Sequence, residues 1–330
     1  MFFHPSVILF FFSLIFSVVM MISVNSWFMV WFFIEKNLLF FIPLVLVKKS
    51  KYSVESSLKY FFIQTLSSIF ILLGFLLLFM NLSIFTIFLV SGLSVKLGLA
   101  PFHQWVVNIV EGLSWPLIWI LFTIQKFGPF LLFNYMYMIK EDIIYIVYFI
   151  ILMCAIVGSL GGLFTSSLRK IMAFSSISHS SWLILGLFVS VYLWTIYFIF
   201  YSVVLFSVLY IFSDFYLSSL NHLFLKLSLF LSLSMGVGLL SMGGMPPFTG
   251  FAPKFIVMKE IMFSCNFFVL LILLMSVFVS LFFYARVFII NFIFLSVKSL
   301  FVWNKSDKVS MSLFINMMGL FLIPFIMYLY

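Results

Sequence analysis

Residues 82–113 read LSIFTIFLVSGLSVKLGLAPFHQWVVNIVEGL, and a second long apolar stretch, 223–264, carries Gly244-Met-Pro-Pro247-Phe248 near its middle. Each is longer than the roughly 20 residues with which a helix crosses about 30 Å of hydrocarbon. Each is interrupted in the same way, by Gly98-Leu-Ala-Pro101-Phe102 in the first and by Gly244-Met-Pro246-Pro247-Phe248 in the second. Proline lacks a backbone N–H and clashes with the preceding turn, so a helix must open there. In hydrocarbon the released carbonyls have to face protein or water. Interrupted segments at corresponding positions of two halves point to an inverted repeat with a polar site at its midplane.

Nine further apolar runs, at 5–24, 26–47, 58–80, 115–137, 142–164, 170–190, 191–213, 266–292 and 311–330, bring the expected crossings to eleven. The chain is thus expected to be all-α and polytopic, with a first five-helix half over 5–137, an inverted second half over 142–292 and a C-terminal helix at 311–330. Composition agrees. Of 330 residues 66% are hydrophobic and 8% charged, with a mean hydropathy of +1.34, whereas soluble domains carry about 25% charged residues. Lipid is the main solvent, which excludes a disordered chain, a secreted disulfide scaffold and a cytosolic enzyme. Cys154 and Cys265 lie far apart in apolar runs and suggest neither a metal site nor a disulfide. The first basic residue is Lys36, so no Arg-rich presequence is expected. The 50 phenylalanines fit the bias of a T-rich coding strand, as in organelle genomes.

The net charge of +9 is spread over short loops, which argues against nucleic-acid binding. With eleven spans, Lys48, Lys49, Lys51, Arg169, Lys170, Lys298, Lys305 and Lys308 share one side, and Lys140, offset by Glu141 and Asp142, holds the other. Loops rich in Lys and Arg stay on the cytoplasm-like side. The N-terminus is therefore expected on that side and Tyr330 on the opposite one.

Glu35, Lys96, Lys126 and Lys254 fall within or beside apolar runs. A charge at the membrane centre costs about 2.5 to 3.5 kcal/mol on translocon scales, so four isolated ones would cost on the order of 10 kcal/mol, as much as a typical fold's whole stability. They must face the bundle interior. Lysine suits a switchable proton carrier because its protonation follows its surroundings. Structural pairing or snorkelling are the competing readings for Glu35, Lys96 and Lys254. Lys126 lies mid-span, with Gly128 and Pro129 just after it, where snorkelling gives no relief; Pro129 is expected to break its helix. His179 stands among Ser175, Ser176, Ser178, Ser180 and Ser181, a hydroxyl-rich stretch that reads as a hydrated relay or as a packed histidine. His103, next to the first break, suits a structural or gating role as well as transport, and His4 and His222 are terminal or loop residues. No dinucleotide fingerprint, Walker loop, C-x-x-C or haem-ligand pair is present.

The runs Trp31-Phe-Phe-Ile-Glu35-Lys36-Asn37, Glu55-Ser-Ser-Leu-Lys59-Tyr60, Lys96-Leu-Gly98-Leu-Ala-Pro101-Phe-His103-Gln-Trp105, Gln125-Lys126, Arg169-Lys170 through His179, and Gly244 through Lys254 occur in an order that resembles the subunit 2 family of mitochondrial NADH dehydrogenase, the antiporter-like membrane subunits of respiratory complex I. The resemblance covers about residues 26 to 260. It implies two inverted five-helix bundles with discontinuous helices, without the three N-terminal helices of bacterial relatives. It also implies a membrane-plane axis through Glu35, Lys96, Lys126 and Lys254, a matrix-side N-terminus and the mitochondrial inner membrane. No cofactor is implied for this chain; FMN and Fe–S clusters belong elsewhere in the complex. Implied partners are a neighbouring antiporter-like subunit, small core subunits, accessory subunits and phospholipids, with protons as the transported species.

Three positions depart from the family pattern. Lys36 follows the glutamate, Val107-Asn108 replace a frequent Pro-Glu with Glu111 the nearest carboxylate, and the last seventy residues resemble the family in pattern only. On this reading Lys126 is the central carrier tuned by Glu35, Lys96 and Lys254 lead to either side, and His179 with its serines holds water. A free-standing Mrp-like cation/proton antiporter and a non-pumping scaffold of the same complex are the alternatives. Cysteines introduced at Lys49 and Lys170 are expected to react with an impermeant maleimide from the N-terminal side, and one at Lys140 from the other. Labelling of all three from one side would refute the eleven-span reading.

Overall fold

The structure, a computed structural model, describes residues 5–80, 84–139, 143–215, 217–220, 229–263, 267–297 and 307–319. His4, Lys140, Glu141, Asp142, His222, Cys265, Lys298, Lys305 and Tyr330 lie outside the described residues, as does the side chain of Lys308. Fourteen helices are described: α1 Pro5–Ser23, α2 Trp27–Leu46, α3 Lys51–Phe79, α4 Phe85–Leu97, α5 Gln104–Val110, α6 Trp115–Phe122, α7 Ile124–Ile139, α8 Ile143–Phe164, α9 Leu168–Val189, α10 Val191–Asp214, α11 Leu229–Gly243, α12 Phe251–Phe263, α13 Phe267–Val297 and α14 Asp307–Met317. Among the described residues there is no strand beyond an isolated bridge between Ser167 and Ser219. Eight spans are long and apolar enough to cross a membrane, and the shorter apolar helices Phe85–Leu97 and Leu231–Gly243 are the first halves of the two interrupted segments. The expected 311–330 helix is described only in its first part and begins earlier, at Asp307.

Local chemistry sets several boundaries. The helix expected from residue 58 starts at Lys51, because Ser50 and Ser53 cap each other's backbone N–H groups. The first turns lie beyond the apolar run, where Lys59 pairs with Glu55 one turn away. The fifth segment is cut at Thr123, not at Pro129, which sits inside α7. A proline deprives the carbonyl four residues back of its donor and crowds the preceding turn; here the helix breaks just before that turn, and Thr123 Oγ1 donates to the Trp119 carbonyl at 2.7 Å.

The chain divides into two compact units, Met1–Ile150 and Ile151–Tyr330, with the boundary inside α8. In the first, α1 packs on α2, α2 on α3, α3 on α4, α4 on α7 and α7 back on α1, a closed ring. In the second, α10 packs against α9, α11, α12 and α14, while α13 packs against α9, α11 and α12. Glycine permits the closest approach there: a Cβ at Gly158 of α8 would lie 2.6 Å from the backbone N of Ser178 on α9. Outward faces are greasy, with Phe12, Phe16, Phe62, Phe268 and Phe278 all at least 60% exposed.

Two polar devices fasten the second unit. The Arg286 guanidinium donates to the carbonyls of Leu163 and Thr165 at 2.8 and 3.1 Å, satisfying the C-terminal end of α8. Asn316 of α14, fully buried, donates to Ser207 Oγ at 3.1 Å and accepts from Ser241 Oγ at 2.7 Å. Its carbonyl also accepts from the Thr249 N–H at 3.1 Å, just past the second break. Asn316→Leu is expected to remove the amide that ties Ser207 of α10 and Ser241 of α11 to α14 and to cost about 1 kcal/mol, read as a lower unfolding midpoint of the detergent-solubilised protein. An unchanged midpoint would show that the knot does not hold α14.

Candidate functional site

In the first unit α4 ends at Gly98, which adopts φ +68°, a left-handed conformation that closes helices and that glycine alone adopts freely. Lys96 lies in the last turn of this half-helix, where the negative end of the macrodipole favours a cation. The loosened carbonyls are met by side chains: Trp105 Nε1 donates to Val95 O at 2.9 Å, and Gln64 Nε2 reaches Lys96 O at 3.4 Å. His103 Nδ1 bonds the Pro101 carbonyl at 3.1 Å and so belongs to the turn itself. Of the departing residues, Val107 is buried, while Asn108 and Glu111 are exposed.

Lys96 couples electrostatically to Glu35 without an ion pair. The neighbouring Lys36 lays its ammonium over the Phe32 ring at 5.0 Å. Lys126, 5% exposed, sits three residues after the Thr123 break, its ammonium 5.6 Å from the Phe122 ring. Lys96, Lys126, Gln125, Gln64 and Tyr60 line one small cavity with about 10 Å³ of room, enough for roughly a single water. Gln125 Nε2 and Lys96 Nζ have no protein partner there, while Gln125 Oε1 accepts from the Tyr60 hydroxyl at a long 3.4 Å.

In the second unit the break is built on two prolines. In a continuous helix the amides of residues 246 and 247 would bond the carbonyls of Met242 and Gly243; Pro246 and Pro247 have none to give. Gly244, at φ +84°, turns the chain out of α11. The two bare carbonyls find donors in Lys254, whose Nζ lies 2.8 Å from Gly243 O and 3.5 Å from Met242 O, and in His179, whose Nε2 lies 3.1 Å from Met242 O. The ammonium thus caps the negative end of α11. A carbonyl only accepts, so Nε2 carries hydrogen, and Nδ1 of the neutral ring accepts from the Tyr197 hydroxyl at 3.0 Å.

The structure gathers the expected residues into two groups, Glu35 with Lys96 and Lys126 in one unit, His179 with Lys254 in the other. The hydroxyls around His179 turn back on their own helix. Ser175, Ser176, Ser178, Ser180 and Ser181 each donate to the carbonyl three residues back. The polar lining is Tyr60, Gln64 and Gln125 in one group and Tyr197, Tyr201 and Ser241 in the other, with Tyr284 electrostatically coupled to the two tyrosines. The spacing of Tyr197 and Tyr201, one turn apart on one face of α10, was the signal for two of them. Among the described residues no three His, Cys, Asp or Glu side chains cluster as for a metal.

Residues 24–282 match the transmembrane family described as NADH:quinone oxidoreductase/Mrp antiporter. NADH-ubiquinone oxidoreductase chain 2 of Anopheles gambiae is 38% identical over 300 residues, 86% of each chain. The protein of the same name from Aedes aegypti is 36% identical over 338 residues, 96% of this chain and 97% of that one. A chain of respiratory complex I from Thermus thermophilus with bound aureothin shares the fold with a TM-score of 0.80 at 19% identity, over 97% of this chain and 80% of its own. A chain of the Mrp complex from Dietzia does so at 0.75 and 16% identity, over 92% and 61%.

Gly244 is the position where backbone and site meet. A Cβ there would come within 2.9 Å of Lys254 Cδ, and the left-handed backbone costs a non-glycine residue about 1–2 kcal/mol. Gly244→Ala is expected to lower the unfolding midpoint, whereas Gly186→Ala, whose Cβ would meet nothing nearer than 3.6 Å, is expected to leave it in place. Equal midpoints for the two variants would remove the constraint assigned to Gly244.

Proposed function

The chain belongs to the NADH:quinone oxidoreductase/Mrp antiporter family, as an antiporter-like membrane-arm subunit of the chain 2 type in proton-pumping NADH:ubiquinone oxidoreductase, and from that premise we propose that it carries protons through Glu35, Lys96, Lys126, His179 and Lys254. The observation that carries this reading is the setting of Lys254, 7% exposed and held by two carbonyls rather than by a carboxylate. A lysine bound by neutral acceptors leaves no buried anion behind when its proton departs, so either protonation state is tolerable. Lys126, beside an aromatic face and a small polar cavity, has a setting suited to the same exchange.

In the first group Lys126 is the central carrier, with Glu35 coupled through space to Lys96. Loss of the proton from one ammonium relieves repulsion on the other, so the two lysines load in alternation. In the second unit Lys254 is the carrier, with its proton handed on near the Met242 carbonyl. The electron carriers, FMN and Fe–S clusters, belong to other subunits. The chain sits in the mitochondrial inner membrane with its N-terminus on the matrix side and its C-terminus toward the intermembrane space. Its neighbours are hydrophobic membrane-arm subunits, accessory subunits and phospholipids.

Lys126→Met, introduced in the assembled complex and reconstituted into liposomes, is expected to lower protons translocated per NADH oxidised several-fold more than it lowers uncoupled NADH oxidation. Undiminished translocation with normal assembly would refute the carrier role.

A further inference from the structure

Three buried tyrosines outside the lysine axis surround His179. Tyr197, Tyr201 and Tyr284 are 1%, 3% and 1% exposed. The Tyr197 hydroxyl is hydrogen-bonded to Nδ1 of His179. The Tyr201 ring packs on the imidazole with centroids 5.0 Å apart and planes 41° apart. Tyr284, from α13, interacts electrostatically with both Tyr197 and Tyr201 and lies beside Ser175, one turn of α9 from His179 toward Arg169 and Lys170.

The Tyr201 hydroxyl has no protein partner, and the Tyr284 hydroxyl meets the Ser175 side chain. Packing does not explain them. The chain uses Phe 50 times and Tyr 14 times, and Phe would fill the same space without a stranded polar atom. The cavity against His179, Tyr197, Tyr201, Ser241 and Met242 has about 10 Å³ of room, close to what one water requires. The Tyr197 and Tyr201 phenols line this cavity and Ser175, Ser176 and Ser178 do not, which places the phenols to bind that water.

We propose that Tyr197, Tyr201 and Tyr284 form a phenolic branch that delivers protons to His179 from the end of α9 bearing Arg169 and Lys170. This rests on the proton-carrying reading of Lys254. In the final step the O–H bond of Tyr197 breaks as its hydrogen passes to Nδ1, and a new O–H bond forms on the same oxygen with a hydrogen from a water in the cavity lined by Tyr197 and Tyr201. That water recovers one from the Tyr284 side. No phenolate persists and no electron moves. His179 becomes an imidazolium whose Nε2–H shares the Met242 carbonyl with the Lys254 ammonium. The two like charges repel, so arrival of a proton at His179 drives the departure of the one on Lys254.

The test uses the whole complex in liposomes, carrying Tyr201→Phe, Tyr284→Phe, both together, or Lys254→Met, with protons translocated per NADH as readout. The double variant is expected to lose the same fraction of translocation as Lys254→Met, and each single variant part of it, with uncoupled NADH oxidation and assembly unchanged. If Lys254→Met lowers translocation and both single phenylalanine variants pump as wild type, the branch is overturned while the lysine axis stands. If Lys254→Met also pumps as wild type, the carrier reading fails and the branch falls with it. Should the double variant not assemble, the singles decide alone.

Discussion

A backbone carbonyl exposed to hydrocarbon has to find a donor, and an ammonium there has to find acceptors. In the second unit these two demands answer each other. Pro246 and Pro247 withhold the amides that Met242 and Gly243 would have used, and Lys254 takes their place. Neither the opened helix nor the submerged charge is tolerable alone. Their combination gives a cation whose partners are indifferent to whether it keeps its proton, which a carboxylate pairing would not allow.

The first unit reaches a related end by other means. Lys96 rides the last turn of α4 and couples through space to Glu35; Lys126 follows a break at Thr123. A through-space coupling responds continuously to what happens around it, whereas a hydrogen-bonded salt bridge would lock both partners. Lys36, next to Glu35 in sequence, lays its ammonium over the Phe32 ring.

Much of this was legible from residue order. Gly98, Pro101, Gly244, Pro246 and Pro247 marked the two interruptions because their effect is local to the backbone, and the buried charges stood out against a chain only 8% charged. What failed depended on which way a side chain or a turn resolves. Pro129 was visible, but the turn that yielded lay ahead of it at Thr123. Along Ser175–Ser181 each serine closes on the carbonyl three residues back, and composition does not reveal that choice. Tyr60 and Tyr284 passed as ordinary aromatics, because only the packed bundle shows that they are buried among polar groups.

The self-bonded serines bear on how this subunit can drift in evolution. Hydroxyls returned to their own backbone present an almost aliphatic surface to neighbouring helices, so Ser, Ala, Gly and Thr become near-synonyms at such sites wherever volume allows. Substitution maps of this bundle should therefore show broad tolerance along the serine ridge of α9 and narrow tolerance at the phenols facing it, the reverse of what a polarity scale would suggest.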